Sequence, residues 1–132
     1  MTSTAGSSIA HMPDAATLAK LRAAPSEPIL LLNLLQYREP GGRDAFARYG
    51  AITGPLIIDA GGRVVMGGKA GVALTGTDTL WDDVLIVRFP SPQRFLDMIT
   101  SDTYQNQAAP IRAEALEATV WMAVHPFPGF EE

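Results

Sequence analysis

Asn33 is the first residue whose type and setting invite chemistry, because it interrupts the aliphatic run Ile29-Leu30-Leu31-Leu32-Asn33-Leu34-Leu35. A buried amide left without partners costs about 1–3 kcal/mol. Asn33 therefore either bonds backbone or water inside a sheet, or faces a pocket and orients a substrate carbonyl or oxyanion. Tyr49 and Trp81 complete the candidate catalytic set, one a phenol on a helix face and the other an indole donor ahead of an apolar run. Tyr37, Arg88, Tyr104, Arg112 and His125 are candidate ligand-binding residues. Each also has an ordinary reading. Tyr49 and Tyr104 suit satisfied core tyrosines, and Trp81 a core or rim aromatic. Arg88 shares strand parity with Val84 and Ile86, where its guanidinium needs a carboxylate such as Asp82 or Asp83, or else binds an anion. Arg112 either lays its stem over a sheet edge or clamps a carboxylate. His125, at the parity of Trp121 and Ala123, either faces solvent or serves as a base or haem ligand.

What the sequence lacks narrows the chemistry further. Without Cys there is no thiolate catalysis, thiolate zinc site or disulfide. Only His11 and His125 are available for a multi-histidine metal site, so neither a metal nor a cofactor is expected. Gly68-Lys69 does not close a phosphate loop, since Arg63 stands where that motif begins with Gly and Ala70 where it needs Ser or Thr. No G-x-S-x-G or H-E-x-x-H occurs. Lys and Arg number 10 against 14 Asp and Glu, for a net charge of −4, and the basic residues are scattered, so nucleic acid is not an expected partner. No apolar run approaches the roughly 20 residues of a membrane span. The first ten residues lack the charge and apolar stretch of a signal peptide, which makes the cytoplasm the expected compartment. With 47% apolar residues in 132, the chain reads as one globular domain over 13–128, between tails at 1–12 and 129–132.

The elements that must position these residues follow from pattern. Asp14 opens a short helix within 13–25, stopped by Pro25. Residues 29–37 are apolar at both parities, as a central strand covered on both faces requires. From Arg43, Phe46, Tyr49, Thr53, Leu56 and Ile57 recur at helical spacing, Pro55 predicts a kink, and Gly61-Gly62 ends the helix. Residues 63–74, with three glycines, suit a bent or bulged edge strand, and 75–78 a turn. Residues 84–89 form the second strongly apolar strand. Ser91-Pro92 starts a helix bearing Phe95, Leu96, Met98 and Ile99. A second helical stretch, broken near Pro110, carries Tyr104 and Ala115, and 119–125 closes as a strand. This order is the split β-α-β, ferredoxin-like βαββαβ arrangement, α+β in class, with an extra N-terminal helix. Helices on one face leave the other uncovered, and both central strands are apolar there, so a homodimer of face-to-face sheets is expected.

The motifs Leu31-Leu32-Asn33-Leu34-Leu35, Gly54-Pro55-Leu56, Gly61-Gly62-Arg63, Trp81-Asp82-Asp83-Val84, Val87-Arg88-Phe89-Pro90-Ser91, Phe95-Leu96-Asp97-Met98, and Ser101-Asp102 with Tyr104 resemble the domain-of-unknown-function 1330 family. Phe46 with Tyr49, and Arg112 with Ala115-Leu116-Glu117, extend the resemblance over residues 13–124. It implies a dimeric α+β barrel, a superfamily that also holds cofactor-free monooxygenases, muconolactone-isomerase-like enzymes, polyketide cyclases and haem proteins. It implies no particular reaction. Relatives often carry a His shortly before the Arg that Arg112 resembles, and residues 107–111 contain none.

Three functions fit these expectations. One is an enzyme, an isomerase, cyclase or cofactor-independent oxygenase, acting on a small apolar or aromatic carbonyl compound between helices and sheet. The second is a ligand-binding or sensing dimer without catalysis. The third is a dimer whose interior is filled by its own side chains.

Overall fold

Local signals set where each element begins and ends. The computed structural model describes residues 12–76 and 80–130. The expected tails fall largely outside these residues, as do residues 77 and 78 of the expected turn at 75–78. Helix α1, Ala15–Arg22, is capped by Asp14, whose carboxylate accepts from the Thr17 amide at 2.8 Å. Strand β1 spans Ile29–Tyr37 with strict alternation between buried and half-buried positions. Helix α2, Gly42–Asp59, continues through Pro55 and ends at Gly61, whose left-handed φ of 82° lets the chain turn back. Strand β2, Arg63–Lys69, is exposed along its whole length and shifts register between Val64 and Met66, as an edge strand with a bulge does. It ends earlier than the glycine-rich pattern suggests.

Strand β3 is Asp83–Phe89, and helix α3, Pro92–Ile99, begins at Ser91, whose Oγ accepts from the Arg94 amide at 3.1 Å. The following stretch corrects the sequence reading. There is no break at Pro110: a π-helical turn, Tyr104–Ala108, runs directly into α4, Ala109–Ala115, where the proline occupies the first turn and its missing donor is not needed. Strand β4, Leu116–Val124, starts three residues before the expected 119–125 and stops before His125.

The strands form one antiparallel sheet in the order β2-β3-β1-β4, the ferredoxin-like arrangement with the two aliphatic strands in the centre. Ile29, Leu31, Asn33, Leu35 and Tyr37 face the helices, joined by Val87 and Phe89 and by Phe95, Leu96 and Ile99 of α3. The opposite face carries rows that cross the sheet in register: Met122, Leu32, Ile86 and Met66 in one, Val120, Leu34 and Val84 in another. These side chains are half-buried or exposed, and no described helix covers them. No described helix is long and apolar enough to cross a membrane.

Candidate functional site

Between α2 and the sheet lies a cavity of about 240 Å³. An apolar cavity of about 150 Å³ is enough for benzene. The sheet supplies Leu31, Asn33, Leu85, Val87 and Trp121 to its wall, and α2 supplies Phe46, Tyr49, Gly50, Thr53 and Gly54. Strand alternation explains this grouping, because Asn33 pairs with Leu85 on one side and Trp121 on the other, and all three must share a face. Gly50 and Gly54 are one helical turn apart, and a Cβ on either would meet nothing within 4 Å. The aromatic walls are ordered against one another. Phe46 stacks on Tyr49 with ring centroids 5.0 Å apart, and Phe95 meets Trp121 edge to face at 5.5 Å.

The polar end of the cavity is built on Asn33, which is only 5% exposed. Its carbonyl oxygen accepts from the Arg112 guanidinium at 3.2 Å. Its amide nitrogen reaches backbone carbonyls of Leu31 and Leu85 only at 3.4 and 3.5 Å, the long limit of a hydrogen bond. Arg112 is itself 3% exposed, and its Cζ lies 4.0 Å from the Trp121 ring centroid. Among the described residues its Nε has no hydrogen-bond partner and no carboxylate reaches it. A buried cation without a counter-ion costs several kcal/mol in real proteins. Stacking on an indole recovers about 2 kcal/mol of that when the pair is desolvated.

Behind Asn33, the hydroxyls of Tyr49 and Tyr104 lie 2.6 Å apart in the core. Burial raises both phenols above their ordinary value, Tyr104 strongly, while the charge of Arg112 works in the opposite direction on each. Both are therefore neutral hydrogen-bond donors at neutral pH. Among the described residues lining the cavity none is a carboxylate, imidazole or amine. Nor do three His, Asp or Glu side chains among the described residues come together as a metal site would require.

The structure thus brings together Asn33, Tyr49, Tyr104 and Arg112 and leaves the other candidates apart from them. Trp81 precedes β3, is half-buried and does not line the cavity. Tyr37 shares the parity of Asn33 but belongs to a second cluster at the end of β1. There its hydroxyl donates to Asp83 at 2.6 Å while Arg43 pairs with the same carboxylate at 2.8 Å, and burial and Asp83 together raise the phenol. Arg88 lies on the outer face opposite Leu30 and Arg63, away from the cavity. His125 is exposed beyond β4 and lines a different cavity, described below. Sequence reasoning passed over Trp121, Gly50 and Gly54. The signals were present, in an aromatic at the parity of the last strand's inward positions and in two glycines spaced one turn apart in a helix.

Three comparisons place this architecture. The sequence pattern of the domain of unknown function DUF1330 matches residues 35–125. No curated protein matches the chain in sequence. Among solved structures, a protein of unknown function from Rhodopseudomonas palustris is 32% identical, with a TM-score of 0.81 over 89% of this chain and 97% of its own. An uncharacterised NIPSNAP-like domain protein from Burkholderia xenovorans shares the fold at 13% identity, with a TM-score of 0.54 over 80% of this chain and 90% of its own. A protein from Bacteroides fragilis described as dimeric, of unknown function and ferredoxin-like in fold, is 14% identical, with a TM-score of 0.51 over 75% of this chain and 96% of its own. By the match to its motif-bearing core, and by the fold that core adopts, this chain belongs to the DUF1330 family.

Proposed function

We propose that this protein is a homodimer that binds a small, largely apolar molecule between α2 and the sheet, with one oxygen acceptor of that molecule received by the Asn33 amide. The observation that carries the reading is the Asn33–Arg112 pair. Because Arg112 occupies the amide oxygen, the group left for a ligand is the NH₂, whose present contacts are long and easily exchanged. The cation behind it polarises the amide and stabilises negative charge on the ligand oxygen, as an oxyanion site does. A carbonyl compound that reacts through an enolate or another oxyanion gains from this arrangement, and isomerisation, cyclisation and cofactor-independent oxygenation all pass through such species. Binding without turnover is the second reading. It is favoured by the lack of an acid or base among the described lining residues, since proton abstraction needs a base within reach. Dimerisation is supported by the uncovered apolar sheet face and by the description of the Bacteroides fragilis protein as dimeric.

Acetophenone and ethylbenzene, alike in shape but different in their acceptor, test the site in parallel titrations. One neutral hydrogen bond contributes about 1 kcal/mol, or about fivefold in affinity. Acetophenone is expected to bind more tightly by that factor and to shift the Asn33 side-chain amide and Tyr49 backbone amide resonances, and Asn33→Ala to erase the difference. Failure of both compounds to enter the cavity, or an unchanged preference in Asn33→Ala, overturns the assignment.

A further inference from the structure

A second cavity, of about 340 Å³, lies beneath α1 on the other side of Leu31, Phe95 and Trp121, which form a wall common to both spaces. Its lining is mostly apolar, from Leu18, Leu21 and Ala24 on one side to Ala123 on the other, with Thr17, Lys20 and His125 as its polar members. Lys20 and His125 are exposed, so they stand where the cavity opens to water. Among the described lining residues no carboxylate balances them.

Helix α1 covers this space without being locked over it. None of its residues is buried. Among the described residues, its recorded polar ties to the body gather at its C-terminal end. The Gln93 side-chain amide donates to the carbonyls of Arg22 and Ala24 at 2.9 and 3.0 Å, and Arg22 pairs with Asp97 across an exposed 3.4 Å contact. A helix of 8 residues is too short to be stable alone, and isolated helices below about 12 residues are marginal in water. Its order therefore depends on apolar surface beneath Leu18 and Leu21, which pack against the core but are only partly buried, with the cavity beside them.

We infer that this cavity is a second binding site, for an amphipathic carboxylate whose hydrocarbon part lies beneath α1 and whose head group is held by Lys20 and His125. The apolar lining favours burial of a chain or ring at roughly 0.8 kcal/mol per methylene. Two nitrogen donors at the opening, with no carboxylate among the described lining residues, select an anionic head over a neutral or cationic one. Binding adds apolar surface beneath α1 and so fastens the cover, whose recorded polar ties lie at its C-terminal end. The site is separate from the Asn33 cavity, and the inference does not depend on what that cavity binds.

Octanoate, octanol and octylamine are matched probes for this site. Octanoate is expected to bind at least tenfold more tightly than the other two, to shift the amide resonances of residues 17–24, Ala123 and His125, and to slow amide exchange in α1. Lys20→Met combined with His125→Gln, both at exposed positions that leave the fold intact, is expected to remove the preference for octanoate while leaving acetophenone binding at Asn33 unchanged. Equal binding of octanoate and octanol, shifts confined to Asn33 and Tyr49, or no binding at all overturns the inference. The acetophenone and octanoate experiments report on different residues, so either site can fail without the other.

Discussion

At the scale of single residues, Arg112 sets the character of the site. It is a buried cation held by an amide and an indole instead of by an acid, an arrangement that favours the arrival of a negatively polarised oxygen. Arg112→Met removes the guanidinium and leaves the buried Asn33 oxygen without its donor, at a cost of about 1–3 kcal/mol. The variant is therefore expected to lower the melting temperature and to weaken acetophenone binding about fivefold or more, the value of a polarised hydrogen bond. Thermal unfolding and titration of the one variant check both halves. The tyrosine pair makes a separate prediction. Tyr49 and Tyr104 titrate above their ordinary value in the folded protein, so their contribution to stability is complete below the unfolded value near pH 10 and is lost as the pH rises through the folded values. Above about pH 10 the unfolded chain holds fewer protons, and stability should fall by up to about 1.4 kcal/mol per pH unit for each buried phenol. Denaturant titrations from pH 8 to 11 should show that decline, and Tyr104→Phe should make it shallower.

At the scale of elements, α2 holds the cavity open. Interior helical glycine costs roughly 0.5–1 kcal/mol relative to alanine. At Gly50 and Gly54 a Cβ would meet no neighbour within 4 Å, so packing does not require glycine at either position. Gly50→Ala and Gly54→Ala are each expected to stabilise the fold by about 0.5–1 kcal/mol. Gly54→Leu should fill the space and block acetophenone without unfolding the protein. Gly42 behaves in the opposite way. Its Cβ would lie 2.5 Å from the Ala115 backbone oxygen, and Gly42→Ala should cost about 1–3 kcal/mol by overpacking the start of α2 against the end of α4. Denaturant midpoints of the three alanine variants separate glycines kept for packing from glycines kept for the cavity. At this scale the sequence was highly legible where caps and prolines act locally, as at Asp14, Ser91-Pro92 and Gly61. It was less so from 104 to 119, where a π-helical turn carries the chain past Pro110 and no local signal marks the change from helix to strand at Leu116.

At the scale of the whole molecule, the uncovered sheet face predicts association. A standard interface buries about 800 Å² on each partner. The rows through Leu32 and Ile86 offer a continuous apolar surface on which a second sheet can stack about 10 Å away. Sedimentation of the wild-type chain at micromolar concentration should give a dimer. Leu32→Glu or Ile86→Glu, each placing a charge in the middle of that face, should give a folded monomer or a chain that aggregates. A wild-type monomer at a hundred micromolar would falsify the dimer assignment.

The amino-acid sequence by itself determined the element order, the central position of β1 and β3, and which residues of β1 share a face with Asn33. These properties follow from caps, breakers and strand parity, all of which act within a few residues. It also excluded thiolate chemistry and limited the imidazoles to two, because composition needs no geometry. The tertiary structure alone decided that Arg112 reaches Asn33, 79 positions away, that Trp121 lies beneath its guanidinium, and that Trp81 and Arg88 stand elsewhere. Two cavities sharing one wall were equally beyond the sequence. Long-range contacts depend on strand register and on how helices seat against the sheet, and neither is encoded in the spacing of any one segment.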